Sequence, residues 1–466
     1  MRRAFEGWKA EAEAWYSAVG IANMVMGTSS ILVPLMIAKV LDGTVEDLGV
    51  LSSLVSLVGV IGSLIWGRLS DAAHRRKPFV ILSFAVAGIG FAGIAFSPSF
   101  GHLLFFNMIL NFFWVAQVSV SVLLVIENSV ESLWERKIGH MNQIGALGWL
   151  AGLVLGSMAL GLSGPQIGEV RSIRLLFLLV ASGEAVACLL AYRLIPRTRP
   201  LFVKRRFRGP IVALGNFLVE RARYAPFHLY YRFNPRRLPT LLRGEEGLQA
   251  GTRRFLFITI ITFAAFGLFA VPLPLLLSQQ FRFSSSTVFL CYVAIHVGIV
   301  LAYPLASRRI KSSGNKAVQQ GSLTTRLIVF AAAAFYLSMR ETPPPLPLLM
   351  AILFGIGITW SYFQLSGVTL ASRLARPKYR SQTLGLYNAA AGLGTILAGV
   401  SAGYLAERIG YQAPFAAAAA LLAFCLLMLR RLPVPPAGAE ESPQKPAKDQ
   451  VRRCSPGSEG PLRATG

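Results

Sequence analysis

The sequence predicts an all-α membrane protein whose twelve transmembrane helices form two six-helix bundles. Of its 466 residues, 54% are hydrophobic and only 14% are charged, whereas a soluble globular chain carries about 25% charged residues. Twelve apolar runs reach the length of roughly 20 residues that a spanning helix needs. A long basic stretch separates the first six runs from the last six, which divides the chain into two halves.

Short polar turns join the predicted spanning segments, and each segment ends where its apolar run stops. The segments cover residues 15–38, 48–67, 78–97, 103–126, 140–162, 173–194, 254–278, 287–306, 317–339, 346–370, 381–406 and 413–432. The predicted regions are a cytoplasmic N-terminal segment (1–14), an N-terminal bundle (15–194), a basic cytoplasmic loop (195–253), a C-terminal bundle (254–432) and a cytoplasmic tail (433–466). The tail is rich in Pro, Glu and Lys, so we expect it to be disordered.

Lysine and arginine are concentrated on one side of the predicted membrane. The termini, the central loop and alternate turns hold 38 of the 46, the opposite turns hold 6, and 2 lie within helices. Because cytoplasmic loops carry the excess of these residues, we expect both termini in the cytoplasm and the protein in the plasma (inner) membrane. Topology and contact with anionic lipid then account for the net charge of +25, and we expect no nucleic-acid partner.

The polar segment between the second and third apolar runs carries a motif. It reads Gly67-Arg68-Leu69-Ser70-Asp71-Ala72-Ala73-His74-Arg75-Arg76-Lys77. One acid and four cations exclude this stretch from hydrocarbon, so the sequence predicts a short turn at a water interface. The pattern resembles the loop signature of the major facilitator superfamily, although Ala72 stands where a cation is usual and His74 where glycine is usual.

The resemblance implies a secondary transporter that works by alternating access. Its substrate would bind near mid-membrane between two six-helix halves related by an axis along the membrane normal. An internal repeat agrees with this arrangement. Asn142 and Gly148 recur as Asn388 and Gly394, 246 residues later in both cases.

The resemblance also implies residues that gate the two halves. In the superfamily the acid of the motif latches the N-terminal half to the start of the eleventh helix, so Asp71 is expected to pair with Arg380, with Arg136 as a rival. A local cap, or a pair with a cation of its own motif, is the alternative. Glu127 is expected to pair with Arg373 or Arg136. The gating candidates are Gly67, Asp71, Arg75, Arg76, Glu127, Arg136, Arg373 and Arg380.

Helices one, four, seven and ten line the cavity in the superfamily, so their mid-depth polar and aromatic side chains are the substrate-binding candidates. These are Asn23, Asn107, Asn111, Trp114, Gln117, Phe266, Trp360 and Gln364. Amides are costly in lipid unless they face a partner or a cavity; hydrogen bonding between helices and simple packing are the alternatives. These four segments have no mid-depth Asp, Glu, Lys or Arg. The pattern therefore predicts a neutral or weakly polar small-molecule substrate and argues against a phosphate.

Coupling to protons requires a titratable group within the membrane. Glu184 in the sixth segment and His296 in the eighth lie near mid-depth. Histidine titrates near neutral pH, which suits proton exchange. A packing role, with Glu184 paired across helices, is the alternative for both residues.

The most favoured function is proton-coupled efflux of a small neutral or lipophilic solute, as in drug exporters. The alternatives are a sugar or glycoside permease and a membrane scaffold or sensor that transports nothing. The Gly-Pro signature of exporter subgroups is absent from the fifth segment, and sugar-porter signatures are absent after the sixth and twelfth. Neither a nucleotide-binding loop nor a metalloprotease motif occurs. We therefore expect a monomer that is not an enzyme and uses no metal or other cofactor.

Overall fold

The computed structural model describes residues 13–73, 76–127, 129, 134–195, 249–340, 342–375 and 380–433. Within these ranges the chain is helical apart from its turns and holds no strand. Twelve of these helices are long and apolar enough to cross a membrane, which confirms the predicted fold class.

The helices are numbered α1 to α12 in chain order. They are α1 (Tyr16–Lys39), α2 (Val45–Ala73), α3 (Lys77–Ala95), α4 (Phe100–Glu127), α5 (Trp134–Ile167), α6 (Glu169–Leu194), α7 (Ala250–Ala270, extended by Leu273–Leu275 and the π-helical turn Leu276–Gln280), α8 (Ser285–Ser313), α9 (Asn315–Met339), α10 (Leu346–Arg373), α11 (Arg380–Arg408) and α12 (Gln412–Arg430).

Local sequence explains several helix ends. Ser284 precedes α8, and its hydroxyl accepts a hydrogen bond from the backbone N–H of Thr287 at 3.2 Å, which satisfies a free donor of the first turn. Gly168 and Gly314 adopt φ angles of 85° and 79° in the turns before α6 and α9. Side chains rarely enter this region of backbone space, whereas glycine enters it freely. Pro272, which lacks an N–H, lies where α7 is interrupted.

The motif between α2 and α3 is mostly helical. Residues 67–73 complete α2, and α3 begins at Lys77; His74 and Arg75 lie outside the described residues. The prediction of a turn over the whole motif is wrong because this stretch contains no proline and a helix satisfies its own backbone on either side of the interface. Pro78 lies in the first turn of α3, where the missing N–H costs nothing.

Equivalent helices make equivalent contacts in the two halves. In the N-terminal half α1 packs against α5 and α6, α3 packs against α4 and α6, and α2 packs against α4. In the C-terminal half α7 packs against α11 and α12, α9 against α10 and α12, and α8 against α10. The halves meet through α2 with α11 and α5 with α8, which gives the whole molecule an approximate twofold arrangement.

The glycines of the sequence repeat occupy matching contacts. A Cβ added to Gly148 on α5 would overlap the backbone carbonyl of Gly20 on α1. A Cβ added to Gly394 on α11 would overlap the carbonyl of Ile260 on α7. Small residues allow helices in a membrane to approach this closely, so the repeat marks the same packing requirement in both halves.

We expect Gly152→Ala to destabilise the N-terminal half. The added Cβ would overlap the carbonyl of Met24, and overpacking of this kind costs about 1–3 kcal/mol. The apparent melting temperature of the detergent-purified protein should therefore fall. Gly139→Ala on the same helix is the matched control, because nothing lies within 4 Å of a Cβ there. Equal melting temperatures for the two variants would contradict the close contact.

Candidate functional site: a cavity between the halves

A cavity of about 330 Å³ lies between the two halves. Its walls come from α1, α4 and α5 on one side and from α8 and α10 on the other. The lining extends from mid-depth toward the end of the bundle that carries the chain termini. The lining residues are Val19, Asn23, Gln117, Ser121, Met141, Asn142, Gly145, Ala146, Trp149, His296, Ile299, Val300, Tyr303 and Trp360.

The α4 wall presents polar atoms with no protein partner. Gln117 and Ser121 lie one helical turn apart and are 2% and 1% exposed. The Gln117 Oε1 and the Ser121 hydroxyl make no hydrogen bond to any residue that the structure describes. On α1, Asn23 donates from Nδ2 to the carbonyl of Val19 at 2.8 Å. Unpaired buried polar atoms are costly, so this wall is suited to hydrogen-bonding a solute or water.

The α5 and α8 walls bring together a tryptophan and a histidine from opposite halves. The rings of Trp149 and His296 stack with centroids 6.1 Å apart and planes 19° apart. The Nδ1 of His296 lies 2.9 Å from the carbonyl of Tyr292. A carbonyl only accepts, so Nδ1 carries the hydrogen and Nε2 is the nitrogen that takes up a further proton. Trp149 Nε1 has no partner within the described ranges.

Sequence reasoning missed Trp149, Asn142, Ser121 and Tyr303 as lining residues. The superfamily pattern directed attention to helices one, four, seven and ten, whereas α5 and α8 contribute much of this wall. One signal was available. Asn142 opens the repeat unit of the fifth segment, and an amide recurring at the start of an apolar helix calls for an explanation.

Asn107 and Asn111 lie in a second chamber, not in the central cavity. This chamber of about 190 Å³ is lined by α1, α2, α3 and α4 in the N-terminal half, toward the end away from the termini. The Nδ2 of Asn111 donates to the Oδ1 of Asn107 at 3.0 Å. Asn107 is 6% exposed, and its own Nδ2 has no partner in the described part of the chain. Hydroxyls of Ser29, Ser30 and Ser52 share the lining.

The aromatic candidates of the C-terminal half surround a buried arginine. Arg326 on α9 is 4% exposed. Its Cζ lies 4.3 Å from the ring centroid of Phe266 and 5.6 Å from that of Trp360. Trp360 lines the cavity and Phe266 lies behind it. Helices one, four, seven and ten therefore carry no cation at mid-depth, as expected. The interior of the C-terminal half nevertheless contains a positive charge, because α9 supplies Arg326.

Two further candidates lie outside the lining of the central cavity. Trp114 is half-buried and packs against the cluster around Trp66 and Phe84 in the N-terminal half. Gln364 follows Trp360 by one turn of α10, and its Oε1 is buried with no partner among the residues described.

Glu184 occupies the interior of the N-terminal half, away from the cavity. It is 0% exposed, and neither carboxyl oxygen has a hydrogen-bond partner in the described ranges. A Cβ on Gly88 of α3 would lie 3.4 Å from the Glu184 Cβ. The two proton-coupling candidates are thus in different settings: His296 faces the cavity and Glu184 does not.

Most gating candidates have side chains outside the described part of the structure. This holds for Gly67, Asp71, Arg75, Glu127, Arg136 and Arg380. Arg76 is buried, with 7% exposure, directly before α3. Arg373 is exposed at the end of α10. The proposed pairs of Asp71 and Glu127 therefore stay predictions.

The halves are joined at the end of the bundle away from the termini. Glu169 at the start of α6 accepts hydrogen bonds from the backbone N–H of Ser285, at 3.0 Å, and from its hydroxyl at the start of α8. Lys39 Nζ, at the end of α1, lies 3.6 Å from the other carboxylate oxygen. Ser157 and Ser286 exchange hydroxyl-to-carbonyl hydrogen bonds of 3.0 and 2.8 Å. We call the group of Lys39, Glu169 and Ser285 the inter-half latch.

A further contact closes the same end. The hydroxyl of Ser53 on α2 donates to the carbonyl of Ile396 at 2.6 Å and accepts from the N–H of Val400 at 2.9 Å on α11. Gln279 Nε2 donates to the carbonyl of Gly43 at 2.9 Å. The structure is therefore a conformation closed at this end, with the cavity on the side of the termini.

Two helical bundles that meet around a cavity and are closed at one end are typical of membrane transporters. The family model of the Major Facilitator Superfamily matches residues 15–243 and 255–460, and the chain belongs to this family of secondary transporters. It is a multi-pass membrane protein.

Known proteins resemble parts or all of the chain. The "Efflux pump azaK" of Aspergillus niger is 30% identical over 108 residues, which are 23% of each chain, so the match spans about a quarter of that relative. The nucleoside transporter NupG superposes with a TM-score of 0.62 at 15% identity, covering 90% of this chain and 96% of that one. A D-xylose-proton symporter gives 0.64 at 13% identity, covering 90% and 97%. At these identities the two structures support the fold alone.

Proposed function

We propose that the protein exports a small, neutral, amphipathic solute in exchange for protons. The lining of the central cavity carries the proposal. It combines the rings of Trp149 and Trp360 with the amides of Asn23, Gln117 and Asn142, and among the residues that the structure describes it includes no Asp, Glu, Lys or Arg. Aromatic rings stack on apolar faces, and amides hydrogen-bond to hydroxyl and carbonyl groups without requiring a charge.

His296 is the proposed proton carrier. It faces the cavity from α8 and stacks on Trp149 of the opposite half, so a change in its charge is felt at the contact between the halves. Glu184 is the weaker candidate because it is not among the residues that line the central cavity. Solute and proton would compete for the same space, which is the simplest basis for exchange.

Alternating access explains the two chambers. In the described conformation the central cavity lies on the side of the termini, and the chamber of Asn107 and Asn111 lies beneath the closed end. We propose that opening of the inter-half latch joins this chamber to the outside, so that both asparagines contact the solute on its way out. The motif acid Asp71 and Arg380 are the proposed lock of the opposite end.

The proposed orientation has both termini in the cytoplasm of a single plasma membrane. The excess of Lys and Arg on the terminal side supports it, and anionic lipid headgroups would contact the same basic surface. The cavity then loads from the cytoplasm. Efflux also agrees with the partial match to an efflux pump. We propose a monomer, since the two halves of a single chain already pack against each other around the cavity.

A sugar or glycoside permease is the second candidate. The clustering of amides and hydroxyls beside Trp149 and Trp360 favours it, since sugar rings stack on tryptophan and present many hydroxyls. Such a permease would need no proton.

A thermal-stability panel separates the two candidates. Chloramphenicol and similar neutral aromatic compounds, and in parallel maltose and phenyl glucosides, are added to detergent-purified protein at two pH values. We expect the aromatic compounds to raise the melting temperature in a pH-dependent way, because a ligand at 100 times its Kd stabilises the folded state by about 2.7 kcal/mol. Stabilisation by the sugars alone, equal at both pH values, would replace the proposal with the permease.

A further inference from the structure

We propose that Arg326 sets the charge selectivity of the central cavity: it excludes organic cations and admits neutral or anionic solutes. The inference deepens the proposed function and rests on it for the role of the cavity as the solute path. It names a property that lipophilicity alone would not give, since many lipophilic compounds are cations.

The charge of Arg326 is not neutralised. Its Nε donates to the hydroxyl of Thr359 at 3.0 Å, and its Nη2 donates to the carbonyl of Ile356 at 2.9 Å. Both acceptors are uncharged and belong to α10. No carboxylate lies within ion-pair distance of the guanidinium among the residues that the structure describes. Two neutral hydrogen bonds hold the group in place but leave a full positive charge inside the C-terminal half.

The charge is transmitted to the cavity through an aromatic wall. The guanidinium carbon lies 5.6 Å from the centroid of Trp360, and Trp360 is part of the cavity lining. The ring of Phe266, with its centroid 4.3 Å from the same carbon, covers the guanidinium as well. The path from the guanidinium to the cavity therefore crosses the ring of Trp360, where the charge is screened less than it would be in water.

The size of the effect follows from Coulomb's law. A unit charge stacked on the cavity side of Trp360 would lie about 9 Å from Arg326, and at an effective dielectric constant of about 20 the repulsion of a cation corresponds to roughly 20-fold weaker occupancy. An anion gains by the same factor. Within the described ranges, the lining includes no Asp or Glu that would oppose this preference.

The test measures the potential in the cavity with thiol reagents and requires no transport. Cys188, Cys291, Cys425 and Cys454 are replaced by alanine, and Ile299→Cys supplies a single thiol on the α8 wall. Ile299 lies beside Trp360 on the neighbouring helix. The carbonyl of Ile299 accepts a hydrogen bond of 2.8 Å from the hydroxyl of Ser361, the residue that follows Trp360 in the chain. Three methanethiosulfonates of similar size are compared, one anionic, one cationic and one neutral.

We expect the ratio of anionic to cationic reaction rates to fall at least tenfold in Arg326→Gln and to be retained in Arg326→Lys. A purely structural role would change the rates of all three reagents alike. A ratio unaffected by Arg326→Gln would overturn the proposal, and so would failure of the neutral reagent to reach Ile299→Cys. If Arg326→Gln does not fold, the same ratio of reaction rates is measured at Ser121→Cys, on the wall opposite Trp360. Equal ratios at Ser121→Cys and Ile299→Cys would also overturn the proposal.

The result is independent of the solute. A blank ligand panel with a charge-dependent rate ratio would retire the proposed solute class and keep the role of Arg326. Binding of neutral compounds together with a rate ratio that does not depend on Arg326 would keep the proposed solute class and overturn the role of Arg326.

Discussion

His296→Gln is expected to abolish proton-driven accumulation of solute while leaving solute exchange intact. One proton exchanged per solute lets a difference of one pH unit sustain a solute gradient of about tenfold, since a pH unit corresponds to about 1.4 kcal/mol. Glutamine keeps a polar side chain at the cavity but does not titrate. The ratio of internal to external solute in proteoliposomes that are acidic inside should therefore fall from about ten to one under the same pH difference.

The measurement uses proteoliposomes loaded with the compound that stabilises the protein most. Counterflow without a pH gradient reports whether the variant still binds and moves solute. His102→Gln is the matched control, because His102 is exposed at the start of α4, outside the cavity. Gradient-driven accumulation by His296→Gln would refute the assignment, and loss of accumulation in Glu184→Gln alone would transfer the role to Glu184.

Glu169→Ala is expected to shift the protein toward the conformation that is open at the end away from the termini, which is closed in this structure. The substitution removes two hydrogen bonds donated by Ser285 and the ion pair with Lys39. Hydrogen bonds to charged groups contribute about 1.5–3 kcal/mol each when buried. This latch is partly exposed, so we take about 2 kcal/mol in total, which corresponds to a shift of roughly 30-fold in the equilibrium.

The shift can be followed with one cysteine beneath the closed end. Asn111→Cys, in the background without native cysteines, should react faster with a membrane-impermeant maleimide added from outside when Glu169→Ala is present. Glu46→Ala is the control, since Glu46 is an exposed carboxylate at the same end of α2. Unchanged labelling would show that the latch does not hold this end closed.

Hydropathy predicted the twelve helices because, in a membrane, whether a segment forms a spanning helix depends mainly on its own residues. A segment in hydrocarbon must satisfy its own backbone, so about 20 apolar residues suffice to define a span whatever its neighbours are. The repeat of Gly148 and Gly394 was equally legible, because close helix contacts in both halves require the same small residue. The motif at Asp71 indicated the family from its own residues.

The depth of a polar side chain in the membrane, relative to the cavity, could not be predicted from the sequence in the same way. Asn107, Asn111 and Gln117 belong to one helix, and sequence spacing grouped them as one binding surface. Ten residues along a helix cover about 15 Å, so Gln117 lines the central cavity whereas Asn107 lines the separate chamber nearer the closed end. Periodicity gives the direction of a side chain around its helix and not its position relative to a closed gate.

The sequence by itself determined the class, the number of spans and the positions of the polar side chains within them. Only the tertiary structure decided that α5 and α8 share the cavity, that Trp149 stacks on His296, that Glu169 joins the halves and that Arg326 lies behind Trp360. The physical reason is that insertion into the membrane depends on each segment alone. The chemistry of the site depends on which helices pack side by side, and residues more than a hundred positions apart decide that.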